Sequence, residues 1–306
     1  MDVRRLELLR ELSDRGSITA VAAATHRTAS AVSQQLKVLE REVGMPLTEP
    51  SGRGIKLTVA GRALAQTATD IAVAIARAEA TWREFVDQPA GEVTVTTFPT
   101  AGEMLLPGML QAVADVPNLV VTCTDQDPLV PDFADLTPDF DIVIADSPLT
   151  SMTWHDRGLT VVPLLTEPLD IALPEGHRLA SKASLTPSDV VGERWIGVPH
   201  DFPYDRILRQ IQSATGQRAD VVQRIGDNGI VEALVAAGRG IAILPRFTTR
   251  DHGNGLITRP LVGIRSKREI SALLRPDRFE RPSVRLVLQA LRDEARHVGD
   301  THNSLV

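Results

Sequence analysis

The chain has 306 residues, 43% of them hydrophobic, with seven histidines, one cysteine and a formal net charge of −6. That length supports two or three compact units with cores of their own. The single cysteine, Cys123, excludes an intrachain disulfide, no run approaches the ~18 apolar residues of a membrane span, and a net acidic chain is not a general nucleic-acid binder.

Val3 to Arg15 reads as a helix with Leu6, Leu9 and Leu12 turned inward. Gly16-Ser17 opens a second helix, Ile18 to Ala24, with Ser17 as its N-cap. In the third, Thr28 to Glu42, Val32, Leu36 and Leu39 share one face, while Ser30, Ser33, Gln34 and Lys37 occupy the others. Two short helices joined tightly, the second rich in short or forked donors outside, form the pattern of a helix-turn-helix. A merely solvated amphipathic helix is the alternative. Gly44 ends this helix, and a Gly-rich turn holding Arg53 sits between Leu47 and Ile55-Leu57, as in a small β-wing. Residues 1–62 carry ten basic against seven acidic side chains, a local +3 that leaves −9 for the rest. A mildly basic head on an acidic body fits a DNA reader with a separate sensing module.

Thr58 caps a long helix, Val59 to Phe85, in which Leu64, Ala68, Ile71, Ile75, Ala78, Trp82 and Phe85 recur at alternating spacings of four and three. That is a coiled-coil seam, and a homodimer is its economical partner; packing on the chain's own body is the other solution. Pro89-Ala90-Gly91 closes the helix and marks a domain boundary. Beyond it strands and helices alternate. Strands are expected at 92–98, 119–124, 141–145, 169–173, 195–198, 221–225, 240–244 and 268–274, and helices at 104–114, 205–215, 230–237 and 283–297. This alternation implies parallel-type sheets covered by helices, and about 210 residues make two α/β lobes.

No catalytic constellation accompanies this plan. The histidines His26, His155, His177, His200, His252, His297 and His302 show no metal spacing, there is no G-x-S-x-G or P-loop, and Gly238-Arg239-Gly240 lacks the third glycine of a dinucleotide loop. Cys123 reads as a core residue in mid-strand. Neither enzyme activity nor a metal or cofactor is expected. The start carries no basic-then-apolar leader, so a cytoplasmic location is expected.

The ordered set Gly16-Ser17, Thr19-Ala20, Ala31-Val32-Ser33, Gln35, Leu39-Glu40, Gly44, Pro46-Leu47, Arg53-Gly54, Leu57-Thr58 and Ala60-Gly61 resembles the LysR-type transcriptional regulators. Asp141, Pro174, Gly176-His177, Leu179-Ala180 and the run Ala236 to Pro245 extend the resemblance along nearly the whole chain. It implies a winged helix-turn-helix (1–58), a dimerising linker helix (59–89) and two Rossmann-like α/β lobes like those of periplasmic binding proteins. Lobe I would hold 90–163 and 261–300, lobe II 164–260, with crossings near Val162–Leu165 and Arg259–Val262. The implied partners are double-stranded promoter DNA, a small-molecule effector between the lobes and a second copy of the chain. The family commonly tetramerises through its bodies, and RNA polymerase is a further candidate partner. A small-solute-binding protein with a degenerate DNA-binding head is the runner-up.

On the head, Gln34 is the candidate base reader, because amides pair bidentately with adenine. Ser30, Ser33, Lys37 and Arg53 are candidate phosphate contacts. By family position the cleft residues would be Phe98, Pro99, Thr100, Ala101, Thr124, Asp146, Ser147, Pro199, His200, Phe202, Asp227 and Asn228. Two departures stand out. Ala29-Ser30 replaces the glutamine-led pair usual before Ala-Val-Ser, and Leu47-Thr48-Glu49-Pro50 replaces the usual Leu-Phe-x-Arg start of the wing. The acids Asp125, Asp146 and Asp227 suggest an effector with an amine or several hydroxyls.

Overall fold

The computed structural model describes residues 1–52, 54–85, 91–147, 152–200, 202–250 and 253–303. The head comprises α1 (Val3–Arg15), α2 (Ile18–Ala24), α3 (Ala29–Val43), β1 (Thr48–Ser51) and β2 (Gly54–Leu57). Its helices start where short oxygens satisfy the first free N–H groups: Asp2 accepts from Arg4, Ser17 from Ala20 and Thr28 from Ala31. Leu9, Val21, Val32, Leu39 and Leu47 are at most 1% exposed and lock the three helices and the wing together. Each such side chain contributes about 1.5–3 kcal/mol by leaving water. β1 and β2 pair antiparallel from Thr48–Leu57 to Ser51–Gly54, which gives the wing.

The long helix α4 (Val59–Phe85) follows directly. A side chain at Gly61 would collide with the Leu47 carbonyl, so glycine lets α4 start hard against the wing. The seam of α4 divides. Ala68 is buried against the head, with Leu64 and Ile71 partly so, whereas Ile75 is 41% and Trp82 70% exposed. Packing on the chain's own head therefore accounts for the first half of the heptad pattern and leaves Ile75 and Trp82 in the second half open. The side chain of Phe85 lies outside the described residues.

The body contains β3 (Gly91–Thr97), α5 (Pro99–Val113), β4 (Leu119–Asp125), β5 (Ile142–Ser147), α6 (Met152–His155) and β6 (Thr160–Pro174). It continues with α7 (Pro187–Val190), β7 (Arg194–Gly197), α8 (Asp205–Thr215), β8 (Asp220–Arg224), α9 (Asn228–Ala236), β9 (Ala242–Pro245) and β10 (Leu256–Arg259). It ends with β11 (Lys267–Leu274), α10 (Pro276–Phe279) and α11 (Pro282–Asn303). A 3-10 turn spans Val130–Leu136.

β3 pairs parallel with β4 and β5, but every pairing of β6, β9, β10 and β11 is antiparallel. The sheet is thus mixed rather than parallel throughout, because the chain crosses between lobes on two strands of opposite direction. β6 runs unbroken through both lobes. Thr160–Pro168 pair with β11, and Leu169–Pro174 pair with β9 and β10. The crossings are clasped where Leu169 N–H donates to the Ser266 carbonyl (3.0 Å). They lie a few residues beyond 162–165 and 259–262, since Leu165 still pairs with Ile270 and Leu261 still packs in the second lobe.

One core lies under β3, β5 and β11 against α5 and α11, including Val95, Leu105, Ile144 and Leu291. The other gathers Leu169, Ile171, Trp195, Ile207 and Ile211. Trp195 is 1% exposed, and its indole N–H donates to the Val190 carbonyl at 3.1 Å. The short apolar run at 195–198 is therefore one parallel strand of a pair with β8, bridged to Ile241. Helix α5 begins five residues before the expected start, because Pro99 at its first position needs no N–H partner.

The head rests on the first lobe through buried charges. Arg275, just after β11, donates to Glu11 of α1 (2.7 Å), and Arg10 of α1 pairs with Asp277 (3.0 Å). Arg15 bonds Glu11 (2.7 Å) and reaches Asp139 of the lobe (2.8 Å). Arg275, Arg10 and Glu11 are 4%, 6% and 7% exposed.

Candidate functional site

Two regions gather chemistry. On the head, Val32, Leu36 and Leu39 hold α3 against α1, and this leaves the opposite face outward. Ser30, Gln34 and Lys37 are exposed on it, with Ser33 half-buried at its edge. Arg41, one turn beyond Lys37, extends the same row. It is not among the residues expected from the sequence, although its spacing of seven from Gln34 was a usable signal. Gln35, by contrast, accepts from Arg5 (3.0 Å) and so braces α3 against α1.

The basic excess of the head is less available than its count implies. Arg10 and Arg15 are spent on the body, and Arg5 pairs with Glu42. Among the described residues, no ion pair uses Arg27, Lys37 or Arg41. Arg53 lies outside the described residues.

The altered wing is compensated from α3. One oxygen of Glu40 accepts from Leu47 N–H (2.9 Å), Thr48 N–H (3.0 Å) and the Thr48 hydroxyl (2.9 Å). Thr48 thereby ties the wing to α3. Replacing Glu40 by Ala is expected to cost about 1–3 kcal/mol by orphaning these donors. A thermal melt of the variant within error of wild type would show that water replaces the carboxylate.

The second region is a cavity of 460 Å³ between the lobes. It opens at the C-terminal ends of the parallel strands, where chain order turns from β4 across β3 to β5, the switch point at which α/β sheets bind ligands. Phe98, Phe133, Phe202 and Tyr204 supply its apolar walls, and Glu103, Asp127, Asp146 and Asp227 its acids.

Arg268 of β11 fills the centre and is 2% exposed. Its Nε and Nη2 donate to one oxygen of Glu167 (2.8 and 2.5 Å), Nη2 also to the Thr100 hydroxyl (2.8 Å), and Nη1 to the Tyr204 oxygen (3.0 Å). The guanidinium lies 4.9 Å from the Phe98 ring centre. Burial disfavours its charge, but Tyr204, Glu167 and Asp146 overcome this and hold it firmly protonated. The Tyr204 hydroxyl is pushed up to about 12, chiefly by burial. Burial likewise lifts the Asp146 carboxyl to about 6 despite Arg268 at 3.8 Å, and raises that of Asp127.

Seven of the twelve residues expected from the sequence line this cavity: Phe98, Pro99, Thr100, Asp146, Phe202, Asp227 and Asn228. Asp227 is chiefly a helix cap, accepting from Ile230 N–H at 2.8 Å. Ala101 does not line the cavity. The early start of α5 turns it into the core, where it is 0% exposed. Thr124 is exposed at the end of edge strand β4, away from the cavity lining. Pro199 and His200 are exposed outside it, with the His200 ring 4.0 Å from Asp205; Gly226 and Gly229 line the second lobe's side instead. The Ser147 backbone pairs with Glu269, and its side chain lies outside the described residues. Arg268, Glu167, Tyr204 and Asp127 were not anticipated. Arg268 and Glu167 come from strands far apart in sequence, so no local spacing marks them.

With this geometry in hand, comparison with known proteins gives a consistent match. Residues 3–62 match the model for bacterial regulatory helix-turn-helix proteins of the lysR family, and residues 87–296 that for the LysR substrate binding domain. The chain is 27% identical over 274 residues to the transcriptional activator protein LysR of Escherichia coli, covering 85% of this chain and 82% of that protein. It is 26% identical over 279 residues to the uncharacterized HTH-type transcriptional regulator YcgK of Bacillus subtilis, covering 84% of each. In fold it is similar to a full-length OxyR variant from Pseudomonas aeruginosa (TM-score 0.62, 19% identity, 95% of this chain and 98% of that one).

Proposed function

Because the chain belongs to the LysR family of bacterial helix-turn-helix regulators, we propose that it reads promoter DNA with α3 under the control of a small molecule held between its lobes. The observation that carries this is the outward row of Ser30, Gln34, Lys37 and Arg41, fixed by a buried apolar face on the same helix. Gln34 reads a base edge, while Lys37 and Arg41 hold phosphates. Ile75, Ala78 and Trp82, exposed on the far half of α4, support a dimer that places two heads on two half-sites. No helix of the described residues is long and apolar enough to cross a membrane, and we place the protein in the cytoplasm. It works by binding rather than by turnover.

A gel-shift titration on the DNA upstream of its own gene tests this, with wild type, Gln34→Ala and Lys37→Ala at two salt concentrations. Gln34→Ala should lose about 1–3 kcal/mol on the specific site only. Lys37→Ala should weaken all sequences alike and reduce the salt slope by ~1. Equal behaviour of the two variants would sink the assignment of α3 as reader.

A further inference from the structure

We propose that the cleft takes a small organic cation, with a protonated amine set against Asp146 and Asp127 and an apolar body held by Phe98, Phe133 and Phe202. This rests on the cleft being the effector site. The cavity contains one lining arginine, and its donors are already in use: Glu167, Tyr204 and Thr100 take four of the five N–H groups of Arg268. An acidic effector would meet no uncommitted lining cation among the described residues. Two of the four lining acids are also committed, Glu103 to Arg250 (3.1 Å) and Asp227 to its helix.

Asp146 is different. It is 3% exposed, lines the cavity, and its Oδ2 has no hydrogen-bond partner among the described residues. An Oδ2 stripped of water, with the Arg268 guanidinium 3.8 Å away and no hydrogen bond made to it, gains more from an incoming ammonium at bonding distance than a solvated oxygen would. Asp127 sits at the same mouth, after β4 as Asp146 is at the end of β5, so two carboxylates flank one opening. The 460 Å³ volume and the aromatic walls suit a ring or branched chain attached to the amine.

The charged groups facing Asp146 are Arg268 from β11, Arg206 from α8, Glu167 from β6 and Asp127. Its ionisation therefore controls the attraction. Above about 6 the carboxylate is charged and draws the amine; below that it is protonated and the attraction is lost.

The test is calorimetric titration of the full-length protein with three probes of one size: 2-phenylethylamine, L-phenylalanine and 3-phenylpropionate. Wild type, Asp146→Asn and Asp127→Asn are compared at pH 7.5 and 5.0, with thermal melts to confirm folding. At pH 7.5 the amine should bind at least roughly tenfold tighter than the acid, a difference of 1.4 kcal/mol. That preference should vanish in Asp146→Asn and shrink at pH 5.0. Tighter binding of the acid, a preference untouched by Asp146→Asn, or no binding by any probe would overturn the cation assignment. If the acid binds and also alters DNA retardation, the cation class falls while the effector cleft stands. A bound amine that leaves DNA retardation unchanged would instead sink the effector reading.

Discussion

Arg268→Ala is expected to lower the free energy of unfolding by about 3–5 kcal/mol, because it leaves the Glu167 carboxylate buried without its partner. Glu167 is 0% exposed, and its remaining bond is from Phe247 N–H at 2.9 Å. The same change frees the Tyr204 and Thr100 oxygens that the guanidinium draws together from the two lobes. Urea unfolding measures the loss, and the double variant with Glu167→Ala should recover part of it. A loss below about 1 kcal/mol, the worth of an exposed pair, would mean that water reaches this charge. The result bears on the proposed function, since Arg268 bonds side chains from both lobes at the cleft.

Arg275→Ala should release the head from the first lobe. In the native chain, burial pushes the Glu11 carboxyl up, but Arg275 and Arg15 more than offset this and hold it below its usual 4.5. Such a depressed group stabilises the docked state above pH 4.5 and loses that contribution as pH falls through its lower folded value. Without Arg275, burial prevails and Glu11 titrates higher. Asp14 is already raised by burial and loses the charge that restrains it. Docking in the variant should therefore be weakest at neutral pH, where both buried carboxyls are charged, and should recover as pH falls and they take up protons. Scanning calorimetry should resolve two melting transitions where wild type shows one. A single unshifted transition from pH 5 to 8 would show that the remaining contacts between α4 and α10 suffice to hold the head.

Much of this molecule was legible because its signals are local. The leucine spacing of α1, the Ser17 cap and the Gly44 terminator each specify their element within one or two turns, and the head follows them closely. Strands such as Ile142–Ser147 were visible as buried apolar runs. The mixed direction of the sheet was not, because strand polarity depends on how far the chain travels between pairings. In the cleft, the loop after β3 and the cap of α9 could be placed from their strand-to-helix junctions. Arg268 and Glu167 could not. A lone arginine in KREISALL reads as an edge residue, and only the pairing of β11 with β6, across a hundred residues, brings the two charges together. The heptad seam of α4 was legible as an apolar stripe, but a helix by itself cannot signal how much of that stripe faces a second copy and how much its own head.

β11 joins the two charge clusters in a way that restricts insertions and deletions. Arg268 near its start serves the cleft, and Arg275 just past its end serves the head. The strand is hydrogen-bonded on both sides, to β5 from Glu269 to Leu273 and to β6 from Lys267 to Leu274, so its register has no slack. Seven positions separate the arginines, an odd number, and successive side chains of a strand alternate faces. The irregularity between Ile270 and Ser271 is absorbed by β6, which offers Leu165 and then Pro163 as partners. Parity along β11 is therefore intact. Point changes between the arginines can keep both clusters, whereas adding or removing one residue there must turn one of them to the wrong side. The distance between sensing and docking is in this sense written in the length of one strand.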